Sequence, residues 1–174
     1  MPSNTVTFAR ALYALSEAGV IWRDECKAAV KVFIRQSSED YRWNLSTHYR
    51  SKKAAAIIGA AIADGRIRSA SQYHAFCKRK ENKLRHEHMV PGEVVYSLLK
   101  KVDRPSVLAY ARILRKTGYR ATITVDEDAQ LLRASMPSGY DDYKSPSFHL
   151  GRYIDAKIDG LLEPRPVGGW YGEA

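Results

Sequence analysis

The sequence predicts a mainly α fold of the α+β class. One compact helical domain spans residues 1–161, with a small two-stranded β element near 84–90 and 119–125, and a Pro/Gly-rich tail follows at 162–174. Three observations carry this. Apolar residues recur at three- and four-residue intervals through most of the chain, the spacing of amphipathic helices. Helix starts and stops are marked at matching places by Ser, Pro and Gly. Only 119–125 alternates β-branched residues over the length of a strand.

In chain order, Ser3 and Asn4 can cap a first helix running to about Glu17, with Val6, Ala9, Leu12, Tyr13 and Leu15 near one face and Gly19 as its stop. A second helix is expected over 23–36, turning Cys26, Ala29, Val30, Phe33 and Ile34 inward, before Ser37 and Ser38 break or recap the chain. The polar and aromatic stretch 39–48 has no clear class. Residues 51–63 are Ala- and Ile-rich and end at Asp64-Gly65, a helix with its stop; Ala54, Ala55, Gly59 and Ala60 allow a close neighbour. Ser69 or Ser71 caps a further helix through Lys80.

Residues 84–90 then read as a short strand or extended segment. Pro91 opens a helix through Val102, because its missing N–H costs nothing in a first turn. Pro105 starts another, to Thr117, which Gly118 ends. After the strand at 119–125, Asp126-Glu127-Asp128 puts three acids at the positive end of a short helix through Ala134. Residues 136–147 form a loop, 148–158 a last helix, and the tail with Pro164, Pro166, Gly168, Gly169 and Gly172 is expected to be extended.

With 45% apolar residues among 174, the chain can build a core. No apolar run reaches the roughly 18 residues a bilayer span needs, and Met1–Ile21 lacks the basic start and apolar block of a secretory signal. No membrane partner is expected. Cys26 and Cys77 form no close pair, which excludes a zinc site built on paired cysteines and argues against a disulfide framework. A reducing cytoplasm is the expected location.

The net charge is +9, and its placement matters more than its size. Eleven cations, Arg42, Arg50, Lys52, Lys53, Arg66, Arg68, Lys78, Arg79, Lys80, Lys83 and Arg85, fall between residues 42 and 85 against only Asp64 and Glu81. The last stretch, 126–174, is acidic, with nine acids against five cations. A concentrated positive segment fits a polyanion, and Tyr41, Trp43, Tyr49, Tyr73 and Phe76 interleaved with it offer faces for base stacking. The expected partner is therefore nucleic acid, DNA or RNA.

That segment runs into Leu84-Arg85-His86-Glu87-His88-Met89-Val90-Pro91, which holds two of the five histidines. Imidazoles titrating near neutrality suit proton transfer, and a carboxylate beside them suits a divalent cation at a phosphate. On a strand, alternation puts His86 and His88 on one face and Glu87 on the other. His86, next to the basic stretch, is placed to contact phosphate and stands with His88 as a catalytic candidate. His74 reads as a surface residue, His48 as part of an aromatic cluster or a nucleic-acid contact, and His149 as isolated.

Glu87-His88-Met89-Val90-Pro91 resembles the first motif of the HNH (ββα-metal) nucleases. The resemblance implies His88 as the general base and Glu87, with His88, as ligand of a divalent metal such as Mg, Mn or Zn. It also implies an asparagine in a following loop and a third motif on a closing helix. The chain has no asparagine after Asn82 and no histidine between His88 and His149, so Asp128, from the 126–128 acids, is the substitute ligand. The same element, with 124–128, Leu131 and Arg152-Tyr153, resembles bacterial and phage proteins of unassigned role, which implies a mobile-element or defence-related setting. No Gly-rich phosphate loop and no GxSxG elbow occurs.

Three functional expectations follow. One is a nucleic-acid-binding protein without catalysis and without a cofactor. Another is an HNH-like, metal-dependent endonuclease. The third is a non-enzymatic inhibitor or adaptor that binds a protein of a nucleic-acid-processing complex. The oligomeric state stays open.

Overall fold

The computed structural model describes residues 4–39, 48–158 and 160–161. Among the described residues helices dominate and there is one small sheet, a mainly α fold of the α+β class as the sequence leads one to expect. No described helix is long and apolar enough to cross a membrane. Chain contacts sort these residues into two units, each built from separated segments. The first holds 4–39, 89–119 and 132–151, and the second holds 48–88, 120–131 and 152–161 without residue 159. The tail expected at 162–174 lies outside the described residues.

The first unit is helical: α1 (Asn4–Glu17), α2 (Lys27–Glu39), α5 (Gly92–Lys100) and α6 (Val107–Thr117). Gly19, at φ +68°, ends the chain's run out of α1, a conformation that a Cβ disfavours. The second helix starts later than its apolar spacing suggests. Asp24–Cys26 winds as a 3₁₀ turn first, and α2 runs on to Glu39 through Ser37, whose hydroxyl bonds back to the Ile34 carbonyl at 2.7 Å. Ala9 and Leu12 of α1 pack with Val30 and Ile34 of α2, Val95, Tyr96 and Leu99 of α5, and Tyr110, Ile113 and Leu114 of α6. Trp22 meets Tyr96 and Tyr110 edge-on at 5.6 and 6.3 Å between centroids. At the surface Glu93 takes both Lys27 and Lys31, which holds its carboxyl below the usual range.

The second unit is built on three strands: β1 (His48–Arg50), β2 (Leu84–His88) and β3 (Arg120–Thr124). Their order is β1-β3-β2, with β1 parallel and β2 antiparallel to β3. The sequence foresees β2 and β3; β1, which begins at His48, the last residue of the stretch of unclear class, is the addition. α3 (Lys52–Ala63) begins at Ser51, whose side chain accepts from the Ala54 N–H, and α4 (Ala70–Lys78) at Ser69 in the same way. Ala54, Ile58 and Ala61 of α3 meet Ile67, Tyr73, Phe76 and Cys77 over Leu84 of β2. Of the small residues expected to admit a close neighbour, Ala54 is buried in this unit, whereas Gly59 and Ala60 are exposed and a Cβ at Gly59 would meet nothing within 4 Å.

The acids after β3 do not make the helix expected through Ala134. α7 (Val125–Asp128) is one turn, closed by a capping box in which Thr124 and Glu127 exchange hydrogen bonds. The helix expected over 148–158 is likewise short, a 3₁₀ turn at Phe148–Leu150 followed by α8 (Gly151–Asp155).

Candidate nucleic-acid interface

Strand geometry divides the second unit's sheet into two chemically opposite faces. Residues paired across the ladder share a face, and neighbours along a strand alternate. His48 and His88 both pair with Arg120, and Arg50 and His86 both pair with Thr122. One face therefore carries His48, His86, His88, Arg50, Arg120 and Thr122. The other carries Tyr49, Ala121, Ile123, Arg85 and Glu87.

On the first face the Thr122 hydroxyl is the hub. It lies 2.7 Å from His48 Nε2, 3.0 Å from His86 Nδ1 and 2.9 Å from the Tyr73 hydroxyl, which α4 brings over the sheet. A hydroxyl has one proton to give and two lone pairs, so these three contacts saturate it, and at most one neighbour accepts from it. Thr122 and His48 are buried, whereas His86 and His88 are half-buried. The His48 and His86 rings stand 5.2 Å apart, and His74, half-buried on α4, stands 5.5 Å from His86. Arg120 reaches His88 Nε2 at 3.3 Å. Four of the chain's five histidines thus share one face, drawn from positions 48, 74, 86 and 88. His86 Nε2, on the far side of its ring from Thr122, is buried without a hydrogen-bond partner.

The charges acting on this face are positive. Burial, then His74, Arg120 and Lys78, pushes His86 down to about 4. Burial, then His86, His74, Arg120 and Arg50, holds His48 well below the usual imidazole range. Both rings are therefore neutral at pH 7. No carboxylate acts among these causes, because the nearby acids are held elsewhere. Glu87 receives Arg152 Nη1 at 2.6 Å, and the same atom donates to the His88 carbonyl at 3.0 Å. Arg152 is 1% exposed. Glu127 accepts from Ser51 at 2.6 Å and from Thr124 within the capping box. Asp128 lies 3.8 Å from Arg85.

These positions bear directly on the expected site. His86 and His88 do come together, with Arg120 beside them. The proposed ligands Glu87, His88 and Asp128 do not. The two-residue period of a strand sends Glu87 and His88 to opposite faces, and Glu87 is committed to Arg152. Among the described residues no group of three or more His, Cys, Asp or Glu side chains is arranged to hold a metal ion.

Of the eleven cations, Arg42 lies outside the described residues. Lys52, Lys53, Arg66, Arg68, Lys78, Arg79, Lys80, Lys83 and Arg85 are exposed. Arg50 corrects the expectation: it is 8% exposed, because its strand position turns it into the histidine face. Arg66 pairs with Asp64 at 2.8 Å and lies over the Phe76 ring, and Arg68 donates to the Gly65 carbonyl at 3.0 Å.

Sequence reasoning missed Arg120 and Thr122, read Tyr73 as a face for base stacking although it is 1% exposed, and placed His74 at the surface. Their signal was weak. They sit on α4 and β3, and only the strand pairing and the packing of α4 over the sheet bring them beside the histidines of β2. Comparison with protein-family models, with curated proteins and with solved structures gives no match.

Proposed function

We propose that this protein binds nucleic acid through the second unit, without a metal as the organising element. One observation carries the reading: nine exposed cations between residues 52 and 85 stand in one unit. They share that stretch with only two acids, Asp64 and Glu81. Such a density of positive side chains neutralises phosphates and releases their counterions. The adjoining imidazole face, where Arg120, Arg50 and Lys78 act on His48 and His86, extends the same anionic preference. A cation would meet repulsion there.

Titration of labelled RNA and DNA tests this. With about six phosphate contacts, duplex affinity falls about 10³-fold between about 50 and 200 mM salt. A salt-independent affinity, or no binding at the lower salt, contradicts the proposal.

A further inference from the structure

We infer that the first unit binds a free amino acid with a large apolar side chain, in the cavity between α5 and the segment 134–148, with Lys101 taking the carboxylate and Asp141 the ammonium. This is independent of the nucleic-acid reading, which concerns the second unit. The cavity holds about 300 Å³. That is the low end for small-ligand pockets, which run from about 300 to about 1,000 Å³. Every residue lining it belongs to the first unit. Val94 and Leu98, four residues apart on α5, line it from one side, and Met136, Tyr140 and Phe148 line it from the following segment. All of these but Phe148 are half-buried, which leaves apolar surface for a ligand to cover. The segment is bonded to itself, from Tyr140 N to Pro137 O at 3.2 Å, from Ser145 N to Asp142 O at 3.0 Å and from Phe148 N to Ser145 O at 3.3 Å. Gly151 seats the Tyr140 ring, since a Cβ there would lie 2.5 Å from it. A wall fixed in advance spares the ligand the cost of ordering it.

The charges at the rim decide the ligand. Glu93, Lys101 and Asp141 border the cavity. Glu93 is held by Lys27 and Lys31. Lys101 and Asp141 are exposed, and among the described residues neither side chain is in an ion pair or a hydrogen bond. One charge of each sign therefore stands unused at the mouth of an apolar cavity. A purely anionic ligand would meet Asp141, and a purely cationic one Lys101. An α-amino acid carries a carboxylate, an ammonium and a side chain on a single carbon, and so answers both charges and the apolar walls together. Its side chain enters beside Leu98 and Phe148, while the long stem of Lys101 follows the carboxylate. Side-chain size then sets affinity, because each buried methylene is worth about fourfold.

Equilibrium dialysis of the full chain against labelled L-phenylalanine, L-leucine and L-alanine, into the millimolar range, tests this. Phenylalanine and leucine are expected to be retained, and alanine to bind about tenfold more weakly or less. Two analogues separate the charges. Hydrocinnamate, without the ammonium, and phenylalaninamide, without the carboxylate, should each bind about fivefold more weakly than phenylalanine. Lys101→Gln should weaken phenylalanine and hydrocinnamate but leave the amide unchanged. Asp141→Asn should weaken phenylalanine and the amide but leave hydrocinnamate unchanged. Both side chains are exposed, so neither substitution disturbs the core. Retention of neither phenylalanine nor leucine overturns the site. So does alanine bound as well as leucine, analogues bound as well as phenylalanine, or affinity unchanged in both variants. Each of these outcomes leaves the nucleic-acid reading of the second unit standing.

Discussion

Acidification should destabilise this protein well before its carboxylates titrate, and His86 sets the size of the effect. In the folded chain burial and the neighbouring His74, Arg120 and Lys78 hold its pKa at about 4. In the unfolded chain an imidazole titrates near 6.5. Between these values the unfolded chain binds a proton that the folded one refuses, so stability falls as pH falls. The contribution is fully present above about pH 6.5, and its loss is complete only below about pH 4. From about pH 7 to about pH 5, His86 alone accounts for a loss of about 2 kcal/mol. His48 shifts in the same direction, and His149, held at about 4 by burial and Lys116, adds to the effect in the first unit. Carboxylates ordinarily titrate near 4, below most of this window. Urea denaturation followed by circular dichroism across that range measures the loss. His86→Gln, which cannot titrate, should shrink the loss by about 2 kcal/mol. An equal loss in the variant, or stability that stays flat down to about pH 5, refutes the reasoning.

Further outcomes follow from the same contacts. Thr122→Val keeps the shape but strands His48 Nε2 and His86 Nδ1 and takes one partner from the Tyr73 hydroxyl, so denaturation should show a loss of about 3 kcal/mol; a loss below about 1 kcal/mol speaks against the hub. Arg152→Ala leaves Glu87 and the His88 carbonyl without their shared donor and should cost about 3 kcal/mol in the same assay, with a negligible change contradicting the ion pair's role. Burial pushes the Cys77 thiol up to about 12, so mass spectrometry should find it unmodified by iodoacetamide in the folded protein and modified once urea is added; equal reaction in both states contradicts its burial.

Local chemistry made most elements readable. Ser51, Ser69 and Ser106 each cap the helix that follows, and β3 follows its own β-branched alternation. Where the reading fell short, long-range pairing decided. His48–Arg50 has only three residues and becomes a strand because β3 offers it a parallel edge. The acids at 126–128 look like a helix start with helix to follow, yet α7 stops after one turn. Its i→i+3 bonds, from Gln130 N to Glu127 O and Leu131 N to Asp128 O, tighten the chain, and Leu131 is buried beyond them. The site was legible in the same measure. Alternation along 84–90 placed His86 and His88 together and Glu87 apart, and the structure keeps that arrangement. His48, His74, Tyr73 and Thr122 could not be joined to them from spacing alone. They lie on three other elements, up to 74 residues apart in a single hydrogen bond.

The most direct test is to remove equal charge from the two units and measure RNA affinity at fixed salt. Lys78, Arg79 and Lys80, exposed in the second unit, are changed together to Ala in one variant; Lys100, Lys101 and Arg104, exposed in the first, are changed together in the other. The first variant should bind far more weakly and lose about 0.7 from the single-strand log–log salt slope for each phosphate contact removed. The second should bind nearly as the unaltered chain does. Equal weakening in both would mean that net charge alone attracts the polyanion, and would contradict an interface on the second unit.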